Sequence, residues 1–343
     1  MKMLLQTPVI LDVDTGVDDA LGIILALNSP ELDLRAITVC GGNNGLEQCC
    51  LNTVRVTHFA LKELCPAVAA PVVARGLNPG GKEPEGAAVH GGDGLGGISH
   101  RLAFTGEEEL IVPQATPVVR AVLDHAEAAG EKITIVTTGP LTNFASWTLD
   151  MPDLLLNTVS EVVCMGGAFR ASGNITPAAE FNIYEDPSAA AVALAFCRGD
   201  ARSGPAIPIT FAGLDVTHKV VLRRAVIENL AARHPHAVMP AFVRDLTSIY
   251  MDFYERVRGL EGCALHDPLA VALAIDKSFC AIEPFHVEIE TRGEHTRGMT
   301  VADTRDSLPA KQNPKRTTGV CVAVDADRFE KFFLQRVTGI EAV

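Results

Sequence analysis

Val9-Ile10-Leu11-Asp12-Val13-Asp14-Thr15-Gly16-Val17-Asp18-Asp19-Ala20 runs from an apolar stretch straight into four carboxylates within eight residues. An apolar run that ends in acids reads as a buried strand whose tip opens into a site, and residues 20–27 read as the helix that follows. Asp12 and Asp14, two apart, point to the same side of the strand, whereas Asp18 and Asp19 fall in the first helical turn. Taken alone, Asp18 and Asp19 are equally well explained as acids that complement the helix dipole. Asp12 and Asp14 are harder to explain structurally, because a carboxylate at the end of an apolar strand is costly to desolvate without a partner. No Lys or Arg lies between Lys2 and Arg35 to supply one locally. Four anions this close repel one another unless a cation or protons neutralise them, which makes a hard divalent metal the economical explanation.

Working outward, the same strand, polar turn and helix pattern recurs. Residues 34–39 precede Gly41-Gly42-Asn43-Asn44 and a helix over 46–62; Ile133–Thr137 precedes a helix over 140–149; Val159–Met165 precedes a longer loop and a helix over 189–197. Strands separated by helices imply an α/β fold, a mostly parallel central sheet flanked by helices, of the Rossmann-like open kind. Ligands bind such sheets at the carboxyl ends of the strands, where Asp14, Asn43, Thr138 and Met165 all fall. Residues 220–258 read as mostly helical, 259–265 as a break, and Asp267-Pro268 as the start of another helix. The last third carries short β-like runs at 285–290 and 320–324 and a final helix near 328–336. The Gly- and Pro-rich stretch 76–97 reads as a long loop of the kind that often serves as a lid. With no internal repeat and no composition shift, residues 1–343 read as a single domain.

The 343 residues are 48% hydrophobic and 21% charged, enough to bury a large core. With 29 basic and 42 acidic residues the formal charge is −13, which argues against a nucleic-acid surface and against a basic membrane-binding tail. Nine cysteines without regular spacing, two of them adjacent at Cys49-Cys50, read as reduced, buried thiols of a cytoplasmic protein. Residues 1–11 are too short for a secretory signal before Asp12 and Asp14 interrupt them, and no stretch approaches the roughly 20 apolar residues of a membrane span.

Three further clusters can carry chemistry. Glu180 and Asn182 alternate on one side of an extended segment, an acceptor and an amide able to grip vicinal hydroxyls, although a solvated loop edge explains them as simply. Asp267-Pro268 is a good helix N-cap with Pro at the first helical position. His266 just outside that cap could instead donate a proton near neutral pH, or be an unrelated histidine. Tyr250, Tyr254 and Arg258, spaced four apart, share a helix face that could stack on a heterocycle or simply pack.

Together, the acidic turn, Gly42-Asn43, Thr138-Gly139-Pro140-Leu141-Thr142-Asn143, Met165-Gly166-Gly167, Glu180-Phe181-Asn182 and His266-Asp267-Pro268 resemble the nucleoside hydrolases, the inosine-uridine-preferring family, over nearly the whole chain. The resemblance implies a Ca²⁺ ion held by Asp14, Asp19, Asp267 and the backbone carbonyl of Thr138, with waters and two ribose hydroxyls completing the shell. It implies ribose contacts from Asp18, Asn43, Met165, Asn174, Glu180 and Asn182, Asp14 as general base, and His266 at the leaving base. Tyr250, Tyr254 and Arg258 fall where some members have base-side residues, and ring selectivity falls to them and to positions around His90. Asp12 is left to support the others from behind. Homodimers or homotetramers are common in the family. Thr15 stands where the family usually has Pro, and the stretch from Met165 to Asn174 is one residue longer than the pattern.

The implied reaction is calcium-dependent hydrolysis of the N-ribosidic bond of nucleosides, as in nucleoside salvage. Two other readings compete. Asp12-Val13-Asp14 after a strand also resembles a haloacid-dehalogenase-type phosphatase, in which the first Asp is the nucleophile and Mg²⁺ the metal. That reading expects Thr or Val where this chain has Gly16, and it leaves Asp18, Asp19, His266 and Asp267 unused. A non-catalytic, calcium-dependent nucleoside-binding protein would lack a base or a metal ligand, and none is missing.

Overall fold

A computed structural model describes residues 6–79, 87–199, 207–305 and 316–340. Nine strands form the central sheet. Seven, in chain order, are β1 (Thr7–Val13), β2 (Leu32–Val39), β3 (Val72–Arg75), β4 (Ile111–Val112), β5 (Ile133–Thr137), β6 (Val159–Met165) and β7 (Ile209–Ala212). The sheet order is Cys280–Phe285, Thr318–Val324, β7, β6, β5, β1, β2, β3, β4, with every neighbouring pair parallel except the first. The chain leaves β1 outward through β2, β3 and β4, then returns to place β5 on the other side of β1. Strand order therefore reverses between β1 and β5, and such a switch point opens a crevice at the carboxyl ends of both strands. Asp14 follows β1 and Thr138 follows β5, so the acidic turn sits in that crevice.

The two faces of β1 belong to different halves of the core. Val9, Leu11 and Val13 pack into one cluster, whereas Ile10 packs into the other with Phe144 and Trp147. Asp12 shares the face of Ile10 by strand alternation and points toward the helix Thr142–Asp150, away from the cluster of Val13. The helix expected over 20–27 begins three residues earlier, at Val17, and all of Val17–Leu27 is buried. Beyond its two acids it is apolar all round, because the helices His266–Ile275 and Leu46–Glu63 flank it and the sheet lies against it. At Gly22 the two helices meet: a Cβ there would lie 3.6 Å from Cβ of Asp267. This approach carries Asp267 to the acidic turn.

Residues 220–258 are mostly helical, as expected, in two helices, Arg224–Arg233 and Val238–Arg258, separated at His234-Pro235 and preceded by a short strand, Val221–Arg223, paired with Gly262–Ala264. Three expectations are corrected. Asp267 is not a helix N-cap: the helix begins at His266, Leu265 holds the cap position without a side-chain bond, and Asp267 lies in the first turn. The expected run 285–290 spans two strands, Cys280–Phe285 and Val287–Ile289, the second paired with Thr300–Ala302 in its own small sheet. Of the loop at 76–97, residues 80–86 lie outside the described residues, and 90–97 is a tightly built turn. Asp93 accepts from the amides of Leu95, Gly97 and Ser99, at 3.0, 2.8 and 2.9 Å. Gly96, at φ 62°, lies so close to the helix Val238–Arg258 that a Cβ would fall 2.3 Å from the carbonyl of Leu246. All nine cysteines are free and buried, as expected of small apolar side chains. Among the described residues, no helix is long and apolar enough to cross a membrane.

Candidate active site

The turn after β1 is built by its own acids. Asp19 reaches back to accept from the amides of Gly16 at 2.9 Å and Asp14 at 3.3 Å, and the Thr138 hydroxyl donates to it at 2.7 Å. The helix-cap explanation of Asp19 is thus correct and incomplete, since the same carboxylate also faces the crevice. Asn43, from the turn after β2, donates its amide N–H to Asp14 Oδ2 at 2.8 Å. Its side-chain amide bridges Asp14 Oδ1 at 3.2 Å and Asp19 Oδ2 at 3.0 Å. Glycine is required around Asp14: a Cβ on Gly42 would lie 2.1 Å from Asp14 Oδ2, and one on Gly139 3.0 Å from Asp14 Cβ.

Asp18, Asp19 and Asp267 converge, each offering an oxygen within 4.8 Å of the others, and all three are buried. Among the described residues, no lysine or arginine pairs with these three or with Asp14, and Asp18 Oδ1 is buried without a hydrogen-bond partner. Burial, reinforced by the neighbouring carboxylates, pushes Asp14 and Asp267 well above the usual carboxylate range. Burial also raises Asp18 to about 6, against the Tyr250 hydroxyl that donates to it. A donor set made only of carboxylates, carbonyls and hydroxyls, strongly negative and buried, fits a hard divalent cation. It does not fit a soft metal, which calls for thiolate or imidazole.

One wall carries Met165, Glu180 and Asn182. The Asn182 amide donates to the carbonyls of Thr138 at 2.7 Å and Met165 at 3.3 Å. Glu180 is buried, so the solvated-edge explanation fails for it, and its carboxylate accepts from the amides of Gly167, Asn182 and Ile183. It caps the helix Phe181–Glu185 while lining the cavity. Asn174 lies at the exposed rim, its Oδ1 accepting from the amide of Phe181.

The opposite wall is aromatic. Tyr250 is buried, donates to Asp18 Oδ2 at 3.0 Å, and stacks on His90 with ring centroids 5.2 Å apart. His90 Nδ1 accepts from the amide of Val17, so that nitrogen carries no proton, and burial holds the ring down to about 4. Tyr254 is buried with its hydroxyl 2.5 Å from His266 Nε2, and His266 Nδ1 lies 2.7 Å from the Thr217 hydroxyl. Burial first, then the positive potential of His218, His90 and Arg258, drives His266 well below its ordinary value. Arg258 is exposed and reaches the carbonyl of Gly173 at 3.4 Å. The face expected from Tyr250, Tyr254 and Arg258 thus packs at its first two positions and reaches solvent at the third.

Asp14 and Asp19 do not line the cavity, whereas Asp18, Asn43, His90, Thr138, Met165, Asn174, Glu180, Asn182, Tyr250, Tyr254, Arg258, His266 and Asp267 all do. Val89, Ile175, Phe181, Phe253 and Val257, not anticipated, complete the lining. Phe253 and Val257 follow Tyr250 at helical spacing and were accessible to the same argument; Val89 and Ile175 carry no local signal. Asp12 is not part of the cavity. It is buried, with Oδ1 accepting from Thr38 at 2.5 Å and from Asn143 at 2.8 Å. A carboxylate turned into the sheet cannot attack a phosphoester, which removes the nucleophile that a phosphatase of the haloacid-dehalogenase type requires.

Over residues 9–331 the chain matches the family described as inosine-uridine preferring nucleoside hydrolase. It belongs to that family. It is accordingly an N-ribosyl hydrolase acting on ribonucleosides. This nucleoside hydrolase is 36% identical over 334 residues to the pyrimidine-specific ribonucleoside hydrolase RihA of Salmonella gallinarum, covering 96% of this chain and 98% of that one. It is 37% identical over 317 residues to RihA of Photobacterium profundum, covering 92% and 93%. Among solved structures, the purine-preferring ribonucleoside hydrolase from Gardnerella vaginalis superposes with a TM-score of 0.78 at 32% identity, covering 97% and 98%. An inosine-guanosine nucleoside hydrolase gives 0.83 at 27% identity, covering 98% and 100%.

Proposed function

We propose that this nucleoside hydrolase is calcium-dependent and cleaves both purine and pyrimidine ribonucleosides into ribose and free base, acting as one domain in the cytoplasm and as a homodimer or homotetramer. The observation that carries the metal is the convergence of buried carboxylates near the end of β1 with no lysine or arginine partner among the described residues. Asp14, Asp19, Asp267 and the Thr138 carbonyl are the residues assigned to it, and Asp18 converges with Asp19 and Asp267 beside them. Calcium takes six to eight oxygen ligands in flexible geometry, which suits a shell of several carboxylates, a carbonyl, waters and sugar hydroxyls better than the strict octahedron of magnesium. When bound, the ion fixes the ribose hydroxyls and polarises a water.

The chain's own residues perform the remaining steps. Asp14, oriented by both Asn43 donors and made more basic by burial, takes the water proton as the oxygen attacks C1′. The N-glycosidic bond breaks, its electron pair goes to the base nitrogen, and the surrounding carboxylates stabilise oxocarbenium character at C1′. Asp18, Asn43, Met165, Asn174, Glu180 and Asn182 hold the sugar. His266 and Tyr254 act as a pair at the departing base: an imidazole protonated from solvent passes its proton to the base nitrogen and returns to the neutral form that burial favours, while the Tyr254 hydroxyl, 2.5 Å from Nε2, holds the ring in place. The aromatic wall of Tyr250, Phe253 and Tyr254, with His90 and Arg258, offers stacking surface to either ring class.

Product analysis tests the function. A uridine digest separated by chromatography is expected to contain uracil and ribose, and an inosine digest hypoxanthine and ribose. Turnover of one nucleoside with the other intact would overturn the dual specificity.

A further inference from the structure

Two segments far apart in sequence, the loop that runs from β6 to Asn174 and the start of the helix His266–Ile275, are gripped by one short helical turn, Leu214–Thr217, which follows β7. On one side, Asp215 accepts three successive backbone amides from the loop after β6: Phe169 at 2.8 Å, Arg170 at 2.7 Å and Ala171 at 3.1 Å. The Leu214 amide adds a bond to the Gly167 carbonyl at 2.9 Å, and Gly213 approaches so closely that a Cβ would fall 2.7 Å from that carbonyl oxygen. This loop leads to Asn174 at the sugar side. On the other side, the fully buried Thr217 hydroxyl lies 2.7 Å from His266 Nδ1. A single helical turn therefore spans from the loop that shapes the sugar pocket to the imidazole assigned to the leaving base.

We infer that this turn is a bracket that sets the spacing between sugar and leaving-group machinery, with Asp215 and Thr217 as positioning residues that act through the loop and through His266. The inference rests on the assignment of His266 to the leaving base. Its physical content is orientational. An imidazole held at one nitrogen only can rotate about its ring axis, whereas the Thr217 hydroxyl at Nδ1 keeps Nε2 aimed at the Tyr254 hydroxyl. A carboxylate with three amide donors likewise fixes a backbone turn that three separate waters would leave loose.

The test compares uridine with p-nitrophenyl β-ribofuranoside, whose phenolate departs without protonation. Thr217→Val keeps the volume and removes the hydroxyl. It is expected to lower kcat on uridine about 10- to 100-fold while p-nitrophenyl riboside turnover stays within about threefold, and Thr217→Ser should recover uridine turnover. Asp215→Ala is expected to raise KM about tenfold for both substrates with kcat little changed, and Asp215→Asn, which retains one amide acceptor, should recover part of it. Equal losses on both substrates in Thr217→Val, or no loss, overturn the bracket, as does an unchanged KM in Asp215→Ala. His266→Ala separates the two levels of the argument. If that variant spares uridine, the assignment of His266 fails; if it shows the selective loss and Thr217→Val does not, the bracket alone fails.

Discussion

The hydroxyl of Tyr250 donates to Asp18 Oδ2 at 3.0 Å, so a residue of the aromatic wall is bonded directly to a member of the carboxylate cluster. Asp18 Oδ1 has no hydrogen-bond partner, which makes this donor a main support of a buried anion. A hydrogen bond to a charged group contributes about 1.5–3 kcal/mol, so Tyr250→Phe is expected to raise KM for nucleosides about tenfold or more. If the tyrosine acts through Asp18 on the sugar, steady-state kinetics will show the rise for inosine and uridine alike. A rise confined to one ring class would assign Tyr250 to the base instead.

Asp14→Asn keeps the shape of the side chain, and the contacts from Asn43 can persist in part. Removing a positioned base typically costs about 10²–10⁴-fold, so kcat should fall by that amount while circular dichroism and melting remain close to those of the parent protein. Turnover of inosine and uridine near the parent rate would withdraw Asp14 from its role.

Backbone fit around Asp14 makes a separate prediction. Gly42→Ala places a methyl 2.1 Å from Asp14 Oδ2, so the carboxylate or the turn must shift. A displacement of about 1 Å at a reacting group can cost about 10²-fold, and kcat/KM should drop accordingly. Gly45→Ala is the control, because nothing lies within 4 Å of its Cβ position. Equal activities of the two variants would mean that Asp14 tolerates displacement.

Stability should depend on pH in the chelated protein. Asp12 is raised by burial to about 7 and Asp18 to about 6, so between about pH 4 and 7 the folded chain binds protons that the unfolded chain has released. Stability from these groups is full below the unfolded pKa and is lost as pH rises through the folded values. Thermal unfolding of the chelated protein should therefore show Tm falling from pH 5 to pH 8, and added Ca²⁺ should flatten that slope because the cation stabilises the ionised cluster. A Tm that rises over this range would contradict the burial of these acids in their charged form.

Much of the site was legible from local pattern. The β1 turn, the repeated strand and helix units, and a helix start at His266-Asp267-Pro268 all announce themselves within a few residues, because burial acts over short spans; Asp267, however, lies in the first helical turn and not at the cap. Glu180 was legible as a site residue, yet its capping of the helix Phe181–Glu185 was not, since that helix is too short to show a period. Asp215 and Thr217 left no trace in the sequence. Their partners lie 44–46 and 49 residues away, brought near by the docking of β7 beside β6 in the first case and by the packing of the helix His266–Ile275 against this turn in the second. The turn around Asp93 was hidden for another reason: glycine-rich composition signals freedom, whereas three amide bonds to one carboxylate impose order.

Metal dependence of base release tests the central claim most directly. Purified protein is stripped with a calcium chelator, and free base is followed from inosine, uridine and cytidine before and after Ca²⁺ is restored. Release that vanishes on chelation and returns with Ca²⁺, but not with Mg²⁺ at the same concentration, is the expected result. Undiminished release from the stripped protein would contradict it.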